Sequence, residues 1–158
     1  FGWFDRKHFG WLSRFMRKMP VFPIPGSGDY LRQPLYAGDF CSILVACIQQ
    51  RPTNEGVNIS GKEKVPYLEI IRKIRAAIRS RTPLVHIPVW LFGLLLKVYA
   101  LFDRDPPFTT TQLEALVIDE LFEDNDWEGR FGIEATPLQE ALEQTFRHPL
   151  YSDVVLEF

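Results

Sequence analysis

From Val89 to Phe102 the chain reads Val-Trp-Leu-Phe-Gly-Leu-Leu-Leu-Lys-Val-Tyr-Ala-Leu-Phe, an apolar run with a single charge at Lys97. No other stretch constrains the fold as much. At fourteen residues it falls short of the roughly 20 that a helix needs to cross a bilayer. The run therefore reads as a helix buried in a packed core, with a helix lying on a membrane surface as the alternative. Pro88 before it and Asp105-Pro106-Pro107 after it set its limits, because proline removes a backbone donor and restricts its predecessor.

The rest of the chain alternates between two periodicities. Residues 7–18 carry Trp11, Leu12, Phe15 and Met16 at helical spacing, with Met19 continuing the stripe until Pro20 stops it. Val21-Phe22-Pro23-Ile24-Pro25 is extended, and Gly26-Ser27-Gly28-Asp29 is a turn. Arg32-Gln33-Pro34-Leu35-Tyr36 reads as a short strand, held to an edge or a strand start by Pro34. Asp39 reads as the N-cap of a helix over 40–49, a loop follows over 51–56, and Val57-Asn58-Ile59 is a short strand. Pro66 suits the first position of a helix lined by Leu68, Ile71, Ile74 and Ile78. Leu84-Val85-His86-Ile87 is a strand leading into the apolar run, and Thr109-x-x-Gln112 is a capping box for the next helix. After an acidic loop, Gly129-Arg130-Phe131-Gly132-Ile133 leads to a last helix over 138–146. Strands alternating with helices predict an α/β fold of a few short strands and about six helices. So thin a sheet predicts that a further part precedes Phe1, and the absence of an initiator Met points the same way.

With 158 residues the chain is about one domain by length. Its net charge of −2 conceals a division. Up to Arg104 there are sixteen Lys and Arg against seven Asp and Glu; from Asp105 onward two Arg face thirteen acids. That division can draw a phosphorylated ligand to the first two-thirds, or merely lets two solvated faces attract each other. The Arg-rich helix over 72–81 is balanced by acids elsewhere, so nucleic acid is not an expected partner. Cys41 and Cys47, six apart on a helix, face different ways and cannot bridge. They read as buried free thiols of a reducing, cytoplasmic compartment. His8, His86 and His148 are isolated, with no metal-ligand spacing.

Catalytic motifs are missing from these residues. Gly26-Ser27-Gly28 has Leu31 where a dinucleotide fingerprint places its third glycine. There is no P-loop and no G-x-S-x-G elbow. None of the five tyrosines has a lysine four residues on, and the acids over 114–128 read as a solvated face.

One ordered set of segments does carry a resemblance. Pro25-Gly26-Ser27-Gly28 precedes Arg32-Gln33-Pro34-Leu35-Tyr36, which runs into Asp39 and an apolar helix. Val57-Asn58-Ile59-Ser60-Gly61, Pro83-Leu84-Val85-His86-Ile87-Pro88, Thr109–Gln112 and Phe131-Gly132-Ile133…Pro137-Leu138 follow in order. Together they resemble the substrate-side part of extended short-chain dehydrogenase/reductases, the NAD-dependent epimerase/dehydratase family. The ending is similar to the subgroup that includes a respiratory-complex accessory subunit. Two departures stand out: Val65 replaces the usual Ser or Thr before a helix, and Ala37-Gly38 replaces a bulkier pair beside the expected substrate contact.

The resemblance implies that residues 1–158 are a C-terminal substrate-binding domain. It would complete an absent N-terminal Rossmann domain, which carries NAD or NADP and a Tyr-x-x-x-Lys pair. This chain alone would bind no cofactor and would catalyse nothing. By the same resemblance Arg32 is the contact to a small phosphorylated substrate such as a nucleotide-sugar, with Gln33 and Tyr36 adding hydrogen bonds. The alternative it implies is a non-catalytic binding or assembly protein, docking a partner or a membrane surface through the apolar helix and the stripe over 7–18. An uncovered sheet edge and apolar surface where the missing domain belongs would also make the chain self-associate into homo-oligomers.

Overall fold

The computed structural model describes residues 1–5, 7–50, 56–102, 108–123 and 126–152. Residues 51–55 of the loop expected over 51–56 and the Asp105-Pro106-Pro107 break lie outside these residues. Seven helices and four short strands are present among the described residues: α1 (Phe9–Lys18), β1 (Phe22–Pro25), β2 (Leu31–Arg32), α2 (Ala37–Gln50), β3 (Val65–Pro66), α3 (Tyr67–Ala77), β4 (Leu84–Ile87), α4 (Val89–Phe102), α5 (Thr110–Leu116), α6 (Trp127–Phe131) and α7 (Leu138–Arg147). The fold is mixed helix and strand, broadly α/β.

The strands form two separate pairs rather than one thin sheet. β1 and β4 run parallel, Phe22 opposite Leu84 and Pro25 opposite Ile87. β2 and β3 run antiparallel, Leu31 opposite Pro66 and Arg32 opposite Val65. Val65, read in the sequence as a poor helix cap, is thus a buried strand residue. The expected strand over 32–36 stops at Arg32, since Pro34 has no amide to continue a ladder. Residues 57–59 form no strand either. Their apolar side chains Val57 and Ile59 instead pack beside Trp127 and Ile43.

Two apolar cores result. In the larger, α3 supplies Ile70, Ile71 and Ile74, which meet Met16 of α1, Ile24 of β1 and Leu142 of α7. These positions recur every three or four residues, so a helix places them on one face. The smaller core gathers Ile43 and Ala46 of α2 around Trp127 and Phe131 of α6. Five-residue α6 was not foreseen in the sequence, although its ends are capped. The Asp126 carboxylate accepts from the Gly129 amide at 2.9 Å, and Gly132 ends the helix in the left-handed region at φ 66°.

Several sequence expectations hold in detail. Thr109 Oγ1 accepts from the Gln112 amide at 3.3 Å and Gln112 Oε1 accepts from the Thr109 amide at 2.8 Å, completing the capping box. Strand β4 and the helix over 138–146 are also where expected, the helix extending to Arg147. Asp39 differs. Helix α2 begins two residues earlier, at Ala37, so Asp39 lies within its first turn rather than at the cap. Its carboxylate accepts from the Thr136 amide at 3.1 Å and hydroxyl at 2.6 Å, joining α2 to the segment before α7. The cysteines are free, but Cys41 is exposed and Cys47 only partly buried.

Helix α4 departs most from expectation, for it is not buried. Leu101 is 81% exposed, Trp90 71% and Leu95 54%. Its covered side meets α5 and the segment before it: Phe92 stands edge-on to Phe108, and Gly93 faces Leu113 of α5. Among the described residues nothing covers the opposite side. No helix among the described residues is long and apolar enough to cross a membrane.

Candidate functional site

A cleft of about 260 Å³ opens where α2, α6 and the start of α7 approach the segment after Gly61. Tyr36, Asp39, Lys62, Glu63, Trp127 and Glu128 are among its walls. Gly61 fixes its depth. A Cβ there would stand 2.1 Å from the Pro34 carbonyl oxygen, so only glycine lets the two backbones lie this close.

Each polar wall is tied into the frame. Asp39 holds Thr136, and Glu63 accepts from the Leu138 amide, anchoring the first turn of α7. Glu128 accepts from the Ala135 amide at 2.8 Å and lies 3.6 Å from the Lys62 ammonium. That ammonium also sits 5.5 Å from the centre of the Trp127 ring, a cation over an aromatic face. Trp127 donates its indole N–H to the Ser60 carbonyl at 2.9 Å and is 1% exposed. Burial, together with the nearby Asp39 carboxylate, pushes the Tyr36 hydroxyl above its ordinary pKa. It is therefore a neutral donor at physiological pH, and it donates to Gln144 Oε1 at 3.0 Å.

Of the three expected substrate contacts, only Tyr36 reaches this cleft. The Arg32 guanidinium turns instead to the C-terminal end of α5. It donates to the carbonyls of Ala115 at 2.8 Å, Leu116 and Ile118, and approaches Glu120 at 3.9 Å. A helix end leaves such carbonyls without intrahelical donors, and a fork of N–H groups satisfies several at once. Gln33 is 6% exposed. Its amide nitrogen donates to Gly61 O at 2.8 Å and Ser60 Oγ at 3.3 Å, and its oxygen accepts from the Phe122 amide at 2.8 Å. The structure brings Arg32 and Gln33 together as struts that dock the segment 115–122 onto β2.

The cleft is lined by carboxylates, one ammonium, a phenol and an indole, with no histidine or cysteine among its walls. Trp127 is buried beneath Lys62, so the group this set can turn to a ligand is the partly exposed Lys62 ammonium. No group of three or more metal-ligating side chains occurs among the described residues. Lys62, Glu63 and Trp127 were not singled out in the sequence. The signal for Trp127 was the pair Asp126-Trp127 closed by Gly132, a capped turn too short to show a helical period. No family model matches the chain, and comparison with curated proteins gives no match.

Proposed function

We propose that this chain is the substrate-side part of a larger NAD(P)-dependent epimerase, dehydratase or related reductase. The cofactor and the proton and hydride transfers belong to an N-terminal Rossmann domain. In this reading the cleft beside Tyr36 forms an outer wall of the substrate pocket, and Arg32 and Gln33 support it from behind. A small phosphorylated substrate such as a nucleotide-sugar remains the proposed ligand.

The observation that carries the reading is the unfinished parallel pair. Parallel strands in α/β proteins are covered on both faces and flanked by further strands. Here β4 has Val85 41% exposed, and it leads directly into the bare side of α4. A companion domain set against β4 and α4 supplies the missing cover. The same bare helix favours the second reading, a non-catalytic assembly protein that keeps the cofactor fold and docks a partner.

Sequencing the encoding frame upstream of Phe1 tests both. About 150 residues with a Gly-rich turn after a first strand and a Tyr-x-x-x-Lys pair support the enzyme. The Gly-rich turn without the Tyr-Lys pair supports the assembly protein. A frame that opens near Phe1 sinks the enzymatic reading.

A further inference from the structure

Helices α1, α3 and α7 end close together, and a second concavity of about 310 Å³ lies between their last turns. Its walls are Arg17, Ala77, Ile78, Arg79, Phe146 and Arg147. Three guanidinium groups from three elements thus line one small space, and no carboxylate is among the walls.

Cations at helix C-termini are ordinary, because the last carbonyls carry partial negative charge. Arg147 is accounted for in that way. Its Nε donates to Ala77 O at 2.7 Å and its Nη2 to Ala76 O at 2.9 Å, while Nη1 lies 3.5 Å from Glu143. Arg17 and Arg79 are not: neither guanidinium has a hydrogen bond or ion pair to a described residue. Among the described residues, two full positive charges therefore remain beyond what the helix ends use.

The backbone at Arg79 strengthens the case. Arg79 and Ser80 donate to Ala76 O and Arg75 O, the reverse turn that closes many helices, and Arg79 occupies its left-handed position at φ 54°. Glycine is favoured there, and a side chain costs about 1 kcal/mol. An arginine is present nonetheless. The turn is also pinned to α1, since Thr82 Oγ1 donates to Met16 O at 2.9 Å and Ser80 Oγ donates to Thr82 Oγ1 at 2.9 Å. The backbone of the turn is thereby fixed beside the end of α1, while the Arg79 side chain itself is exposed, as are Arg17 and Arg147.

We propose that this concavity is a phosphate-binding site, remote from the cleft beside Tyr36. Arg17 and Arg79 clamp the phosphoryl oxygens, Arg147 holds the third side, and Phe146 and Ile78 receive the apolar part of the ligand. Guanidinium forks match phosphate oxygens two at a time. The volume suits a small phosphorylated molecule or a phospholipid headgroup. The site is independent of the epimerase/dehydratase reading and stands or falls separately.

The test is a titration with inorganic phosphate, followed by the NMR signals of the arginine Nε–H groups. Shifts at Arg17 and Arg79, with affinity at least about tenfold weaker in Arg17→Ala and in Arg79→Gly, are the expected result. Arg79→Gly relieves the left-handed strain, so its melting temperature stays level or rises and its lost binding is not unfolding. Absence of shifts in the unaltered protein, or equal affinity in both variants, overturns the proposal. Where phosphate binds as expected, co-sedimentation with phosphatidate vesicles assigns the source. Vesicle binding lost in both variants identifies a lipid headgroup, and phosphate binding without vesicle binding identifies a soluble ligand.

Discussion

Tyr30 and Tyr67 show how far single side chains tie this fold to pH. Their rings stack 5.3 Å apart, and the Tyr30 hydroxyl donates to the Pro25 carbonyl at 3.2 Å. Burial raises both phenols well above the ordinary 10.0, more than the Arg32 charge lowers them. A group whose pKa is raised by folding stabilises the fold below its unfolded value, and that contribution is lost as pH climbs through the folded one. Stability should therefore hold level on this account up to about pH 10 and fall above it. Circular dichroism and tyrosinate absorbance should change together in an alkaline titration, and Tyr67→Phe should move the transition upward. A tyrosinate signal that Tyr67→Phe removes, appearing before any loss of helix, would contradict it. At this scale sequence and structure diverge most plainly at Arg32. An arginine on a short strand is visible as a donor in sequence. Its acceptors are not, because Ala115, Leu116 and Ile118 lie more than eighty residues on.

Elements were legible in proportion to their length and capping. α3 and α7 repeat apolar residues over ten or more positions, and Thr109 with Gln112 announces α5 locally. β3 and α6 occupy two and five residues, too few for either period to appear. Segment 57–61 misled for another reason. Its alternating apolar residues do face a core, but the neighbouring backbone at Pro34 offers no amide, so packing replaces a ladder. Gly61 carries that packing, given the 2.1 Å approach its Cβ would make to Pro34 O. Gly61→Ala should cost about 1–3 kcal/mol in urea denaturation, since neither backbone can give way cheaply. The fluorescence of Trp127, whose indole donates to Ser60 O, reports whether the loss begins at this cleft. An unchanged midpoint would show that the loop is free to shift.

Over the whole molecule the apolar surface is lopsided. The buried residues of the larger core gather around α3, while Trp90, Leu94, Leu95, Val98 and Leu101 face outward along α4. The sequence shows that α4 is apolar; it does not show whether 158 residues hold enough structure to cover it. They do not among the described residues. Isolated in water, the chain should self-associate through α4, with a sedimentation coefficient that rises with concentration. Leu94→Glu with Leu101→Glu should weaken that association at least about tenfold, as each removes an exposed leucine from the contact. Concentration-independent sedimentation of the unaltered chain would show that the face stays solvated.

β1 decides where such growth ends. Phe22 and Gly26 donate toward β4, to Pro83 O at 2.8 Å and Ile87 O at 2.8 Å. Strand residues alternate, so the positions turned the other way are Pro23 and Pro25, which have no amide to offer. On β4 the amides of Leu84 and His86 point away from β1 in this register, and no described group receives them. The pair thus has one sealed margin and one open margin, and strands can be added only across β4. Polarity of this kind makes β1 a terminal strand, whatever is added across β4.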